Sequence, residues 1–231
     1  MNKFYYPYNM KETFKNKEKF QNSNNVEIII NKAKDIIQSY LVPIINKIDE
    51  PLEGNLFFYN LGKTDNYNES FKIKQQNLVE LNSRNYIKNV LEIGFNSGFS
   101  ALLILLSNPN IKLTCVDIGF HKYTIPCFLK IKELFPNRIN LIINDSTIAL
   151  PLLNEKFDLI HIDGCHLTSI AENDIVNSYN LSHNNTILLF DDYDAPELKD
   201  LFDNLSIKYK LVNDKKLIYD NIYQGVKIVI I

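Results

Sequence analysis

The sequence predicts an α/β domain: a doubly wound, mostly parallel sheet of seven strands with an antiparallel last strand, preceded by a helical N-terminal extension. Three observations lead there. From Asn89 onward, short β-branched or apolar runs alternate with helical stretches, the pattern of parallel strands with helices on both faces. The first run leads into VLEIGFNSGFS, Val90 to Ser100, where a strand breaks into a turn with Gly94 and Gly98 and a helix begins. The last two runs are joined by an irregular connection containing Asp214 and Asp220, so they read as an antiparallel hairpin at the sheet edge.

In chain order, residues 1–25 are polar and aromatic without periodicity and read as an irregular arm. From Val26 to Ile48 the apolar positions fall at helical spacing, with Pro43 set to kink or divide the helix. Glu50 to Asn68 is loop-like and Phe71 to Asn82 is helical again, so residues 26–86 form a leader or cap. The main domain, 87–231, has strands at Val90–Ile93, Lys112–Val116, Ile139–Ile143, Leu159–Ile162, Ile187–Phe190, Tyr209–Val212 and Gly225–Ile230. Its helices fall at Gly98–Ser107, Ile125–Leu134, Ile148–Leu152, Ser169–Tyr179 and Pro196–Leu205, the last with Asp194 as its N-cap.

Composition narrows the function. With 25 basic and 27 acidic residues the net charge is −2, which argues against a nucleic-acid partner. Cys115, Cys127 and Cys165 form no C-x-x-C pair and read as reduced thiols. No apolar segment approaches the roughly twenty residues needed to span a bilayer, and the first twenty residues show no signal-peptide core. The expectation is a soluble cytoplasmic protein without a membrane partner.

The glycine turn points to a nucleotide-like ligand, because glycine admits close backbone approach and helix N-termini favour negative groups. A dinucleotide fingerprint would need glycine where Asn96 and Phe99 stand, and the Gly-Lys-Ser/Thr ending of a P-loop is absent. The remaining pattern, apolar-apolar-acidic-x-Gly-x-x-x-Gly, resembles motif I of the class I S-adenosylmethionine-dependent methyltransferases. That resemblance implies a Rossmann-like fold, with Glu92 facing the cofactor's amino group directly or through water and the turn Gly94, Asn96, Ser97, Gly98 cradling its methionine portion. Asp117, at the end of the second strand about twenty residues on, is placed to accept from both ribose hydroxyls. Ile118 would pack on the adenine. Asp145 and Ser146 end the third strand, where the family contacts the adenine edge; capping of the next helix is the alternative.

The fourth strand, FDLIHIDGCH, ends at Asp163 with His166 three residues on, and the fifth, TILLFDDYD, ends at Asp191 and Asp192. Three carboxylates at adjacent strand tips repel unless protonated or bridged by a cation, and such oxygen donors suit Mg²⁺. Here the sequence resembles the metal-dependent small-molecule O-methyltransferases, the macrocin or macrolide-sugar type in particular and the catechol type more distantly. The resemblance implies Asp163, Asp191 and Asp192 as metal ligands, with Asp163 also among the cofactor contacts. His166 is the candidate base that takes the proton of a sugar or other small-polyol hydroxyl, its ordinary pKa being near neutrality. His161 reads as structural, His121 and His183 as ordinary loop residues, and Tyr193 as a candidate for the pocket wall. The competing readings are an RNA methyltransferase and a non-catalytic binding protein that has kept the fold. The Val26–Ile48 helix is equally able to pack against its own domain or to join a homo-oligomer.

Overall fold

The computed structural model describes residues 25–58, 64, 67–213 and 227–230. The expected arm lies outside them, residue 25 apart, as do Asp214 and Asp220. Residues 25–36 are α-helical (α1), the chain widens into a π turn over Ile37–Leu41, and it resumes as α2 at Val42–Asn46. Pro43 explains the widening. It lacks an N–H and its ring crowds the carbonyl four residues back, and the helix responds one residue earlier with a Val42 N–H to Ile37 O bond. Val26, Ile30, Ala33, Ile37, Leu41 and Ile45 make one stripe, buried in the same core as Phe95, Leu103 and Ile131 of the main domain. A short 3₁₀ turn, Glu69–Phe71, capped by Asn68 on the Ser70 N–H, leads into α3, Lys72–Asn82, which packs on the helix Phe99–Ser107.

The main domain alternates β1 Asn89–Ile93, α4 Phe99–Ser107, β2 Lys112–Asp117, α5 Thr124–Leu134, β3 Ile139–Ile143, α6 Ser146–Ala149, β4 Phe157–Ile162, α7 Thr168–Asn180, β5 Ser182–Phe190 and α8 Pro196–Tyr209. These five strands are parallel in the order β3-β2-β1-β4-β5. Two short strands extend the sheet: β7, Lys227–Ile230, runs antiparallel to β5, and β6, Val212–Asn213, antiparallel to β7. Tyr209, expected to open a strand, instead closes α8, which ends where Lys210 turns left-handed at φ 56°. The N-cap of α8 is Ala195, not Asp194.

Strand alternation divides the core. Val90, Leu113, Cys115, Leu159, Ile187 and Leu189 face the leader, α4 and α5, while Leu91, Val116, Ile160, Leu188 and Phe190 face α7 and α8. Connections leave β1 toward β2 on one side and β4 toward β5 on the other, so a crevice opens at the carboxyl ends of β1 and β4. No helix among the described residues is long and apolar enough to cross a membrane.

Two residues at this crevice carry testable constraints. Gly94 has φ 93°, and a Cβ there would lie 1.9 Å from the Asp163 carbonyl oxygen. Gly94→Ala is expected to cost about 4 kcal/mol or more and to lower Tm by on the order of 10 °C, read by thermal unfolding. Asp174 on α7 is 1% exposed, and its Oδ1 has no hydrogen-bond partner among the described residues. Burial pushes its carboxyl from 3.8 up to about 6, helped by Asp145 and opposed by a hydrogen bond from Ser146. A raised folded-state pKa means stability present below the unfolded value and lost as pH rises from about 4 to about 6, by at most about 3 kcal/mol. Asp174→Asn should therefore raise Tm at pH 7 and leave it nearly unchanged at pH 4.

Candidate active site

The turn after β1 is held by backbone chemistry. Gly98, at φ 78°, precedes α4, and a Cβ there would strike the Phe95 ring at 2.5 Å and Ile131 at 2.6 Å. Asn96 also adopts positive φ, 52°, a conformation asparagine tolerates better than most residues. The position where a dinucleotide loop has glycine thus keeps a left-handed backbone without one. Asp117, at the tip of β2, fixes the turn from the side: the N–H groups of Phe95 and Asn96 donate to its Oδ2, both at 2.8 Å, and that of Gly119 to its Oδ1 at 2.7 Å.

A cavity of about 920 Å³ opens over this turn and the neighbouring strand ends. Of the sequence-predicted residues, Gly94, Asn96, Ser97, Asp117, Ile118, Asp145, Ser146, Asp163, His166, Asp191 and Asp192 line it. Glu92 and Gly98 do not. Gly98 sits behind Phe95, where its role is steric. Glu92 is fully buried inside the sheet, its carboxylate 3.2 Å from His161 Nδ1 and 3.5 Å from Cys115 Sγ, its register neighbours on β4 and β2. A strand interior cannot deliver that carboxylate to the crevice. Tyr193 is also withdrawn, buried with its hydroxyl donating to Asp203 Oδ1 at 2.7 Å. Asp145 caps α6 while facing the cavity, accepting from the Thr147 hydroxyl at 2.7 Å and N–H at 2.8 Å; these bonds hold its pKa below the usual value.

At the other end, β4 and β5 deliver the acidic cluster. The Asp163 N–H donates to Ile93 O at 2.9 Å, tying the β4 tip to the glycine turn. Burial first, then the Asp191 charge, pushes the Asp163 carboxyl well above its usual range against the pull of His161 and Lys74. Asp191 and Asp192 follow the last residue of β5, and the left-handed backbone at Asp192 turns the two side chains apart. Asp191 turns inward, 4% exposed, and pairs with Lys74 Nζ at 2.5 Å. Asp192, at φ 55°, turns outward to His166 Nε2 at 2.8 Å. Burial and Asp191 raise the Asp192 pKa, with Lys74 and His166 opposing. Burial disfavours the charged forms of His161 and Lys74, but the surrounding carboxylates outweigh it and hold both pKa values above the ordinary ones.

Among the described residues, two groups have donor atoms within 4.8 Å of one another: His161, Asp163 and Asp191 inside, and Asp163, His166 and Asp192 outside. The expected trio Asp163, Asp191 and Asp192 is divided between them. The inner group already meets the Lys74 ammonium. The outer group, two carboxylates and an imidazole at the cavity wall, fits a divalent cation by donor type.

Sequence reasoning missed the leader's share. Leu56, Phe58, Phe71 and Lys74 line the cavity, yet nothing in their local pattern marks them. His121, read as an ordinary loop residue, clasps the leader: its Nδ1 lies 2.6 Å from Glu50 Oε1, its Nε2 3.4 Å from Glu53 Oε2, and its ring stacks on Tyr123 at 4.9 Å. Asn96 Nδ2 donates to Glu53 O at 2.5 Å, joining the same loop to the glycine turn.

Comparison with known proteins fits this arrangement. A family model described as a methyltransferase domain matches residues 91–193. No curated protein matches the sequence. Among solved structures, a putative caffeoyl-CoA O-methyltransferase from Staphylococcus aureus superposes with a TM-score of 0.59 at 15% identity, covering 91% of this chain and 99% of that one. The S-adenosylhomocysteine-bound Podospora anserina methyltransferase PaMTH1 gives 0.59 at 14% identity over 99% and 98% of the two chains. CalS11, a TDP-rhamnose 3′-O-methyltransferase of calicheamicin biosynthesis, gives 0.52 at 11% identity over 69% and 78%. Residues 91–193 match the methyltransferase-domain model, and the fold of the chain is similar to that of these methyltransferase structures.

Proposed function

We propose that the protein is an S-adenosylmethionine-dependent O-methyltransferase acting, with Mg²⁺, on a hydroxyl of a sugar or other small polyol. The observation that carries this reading is one cavity bounded at one end by the glycine turn with Asp117 and at the other by Asp163 and the His166–Asp192 pair. Residues 26–86 act as the leader that walls the acceptor side and residues 87–231 as the catalytic domain. The short antiparallel pairings at the sheet edge complete its seven strands.

In this mechanism the acceptor oxygen attacks the sulfonium methyl in line. A carbon–oxygen bond forms, the carbon–sulfur bond breaks, and its electron pair stays on sulfur. With Nε2 hydrogen-bonded to Asp192, the His166 ring keeps Nδ1 to take the hydroxyl proton, and Asp192 stabilises the resulting imidazolium. Asp163 and Asp192 would hold a divalent cation, which would supply Lewis-acid activation of the acceptor hydroxyl. A sugar suits the walls, since its hydroxyls meet the acidic end while its apolar ring face meets Leu56, Phe58 and Phe71. CalS11, one of the structural neighbours, is named for a sugar acceptor.

Millimolar S-adenosylmethionine is expected to raise Tm by about 5 °C, and Asp117→Ala to remove most of that shift. The absence of any shift in the wild type would remove the reading. His166→Ala should lower kcat by about 10²-fold or more while leaving cofactor affinity, measured by calorimetry, unchanged. Activity should vanish with EDTA and return with Mg²⁺; turnover indifferent to chelator leaves a metal-independent transferase.

A further inference from the structure

The acidic cluster is not without a cation of its own. Lys74 projects from the first turn of α3, is 16% exposed, and reaches Asp191 Oδ1 at 2.5 Å. It lies outside residues 91–193, so the matched domain does not contain it. Its place is fixed by its neighbour. Gln75 is fully buried, donates through Nε2 to the Leu56 carbonyl and accepts from the Tyr67 hydroxyl at 2.7 Å. These bonds fix the turn of α3 from which Lys74 reaches the cluster.

We propose that Lys74 is a positioning residue, the fixed counter-cation of Asp191, which confines a divalent ion to the outer carboxylates, Asp163 and Asp192, beside His166. The proposal rests on the divalent-cation part of the function proposed above. The reasoning is electrostatic. An ammonium and a divalent ion repel, and a carboxylate already paired with one is a poor ligand for the other. Asp191 is taken and faces inward, whereas Asp192 faces outward with Asp163 and His166 beside it. The ion is thereby kept on the cavity side, where an acceptor hydroxyl enters, and away from His161 and the sheet interior. The charge of Lys74 does this, and its titration plays no part.

The test is titration of Mn²⁺ alone, followed by the electron paramagnetic resonance signal of the free ion, with neither cofactor nor acceptor present. Lys74→Met is expected to bind Mn²⁺ about tenfold more tightly than wild type, because Asp191 becomes available and a repelling charge is gone. Lys74→Arg, which keeps the charge, should stay within about threefold of wild type. Asp191→Asn in the Lys74→Met background should cancel the gain, which assigns it to this pair. If Lys74→Met gives no folded protein, Lys74→Gln carries the same comparison. Equal or weaker binding by the uncharged variant overturns the proposal, and so does absence of binding in both wild type and variant. Binding by the variant but not by wild type overturns it as well, together with Mg²⁺ dependence of the native enzyme, whereas equal binding by both overturns the role of Lys74 and leaves the metal reading standing, so the two failures are distinguishable.

Discussion

Parallel strands deliver their last residues to a common edge, and acidic residues gathered there must be paired, protonated or turned apart. The chain uses all three. Asp191 is paired with Lys74, Asp163 has its carboxyl pushed toward the neutral form, and Asp192 is turned outward to His166 by a left-handed backbone. Beneath them, Glu92 and His161 make a buried hydrogen-bonded pair between β1 and β4. Much of the rest follows from this constraint. The leader must dock closely enough for α3 to bring Lys74 to the tips, and its apolar stripe must be buried to hold it there.

The features readable in the sequence were those whose causes are local. The strand, glycine turn and helix of VLEIGFNSGFS, the aspartate ending β2 and the acidic tips of β4 and β5 are each written in adjacent residues, and the crevice rule brings them together. Long-range causes were not legible. Lys72 and Lys74 stand one residue apart in the same helix, and only the packing of α3 on α4 decides that Lys74 reaches the site while Lys72 pairs with Glu27. His121 gained its role from a loop some seventy residues away. The burial of Glu92 was legible, since a residue inside a doubly covered strand belongs to the interior. The left-handed backbone that parts Asp192 from Asp191 carries no mark in the local sequence.

The leader also bears on the glycine turn. Glu50 and Glu53 meet His121, the Glu53 N–H donates to the Tyr123 hydroxyl at 3.2 Å, and the Glu53 carbonyl accepts from Asn96. The loop that walls the cavity is therefore bonded to the loops after both β1 and β2. Asp117 adds three more bonds to backbone N–H groups, so the turn is set by the fold itself. A carboxylate oriented in advance loses little freedom when a ligand arrives.

The close approach of Gly94 to the Asp163 carbonyl, with the bond from the Asp163 N–H to Ile93 O, has a consequence for how the molecule tolerates change. Main chain, with no rotamers to adjust, fixes the gap between the two ends of the cavity. Leader substitutions at Leu56, Phe58 or Phe71 alter which molecules fit without altering that gap. The fold thus separates a gauge that must stay constant from a mould that is free to vary, and it assigns them to different stretches of the chain.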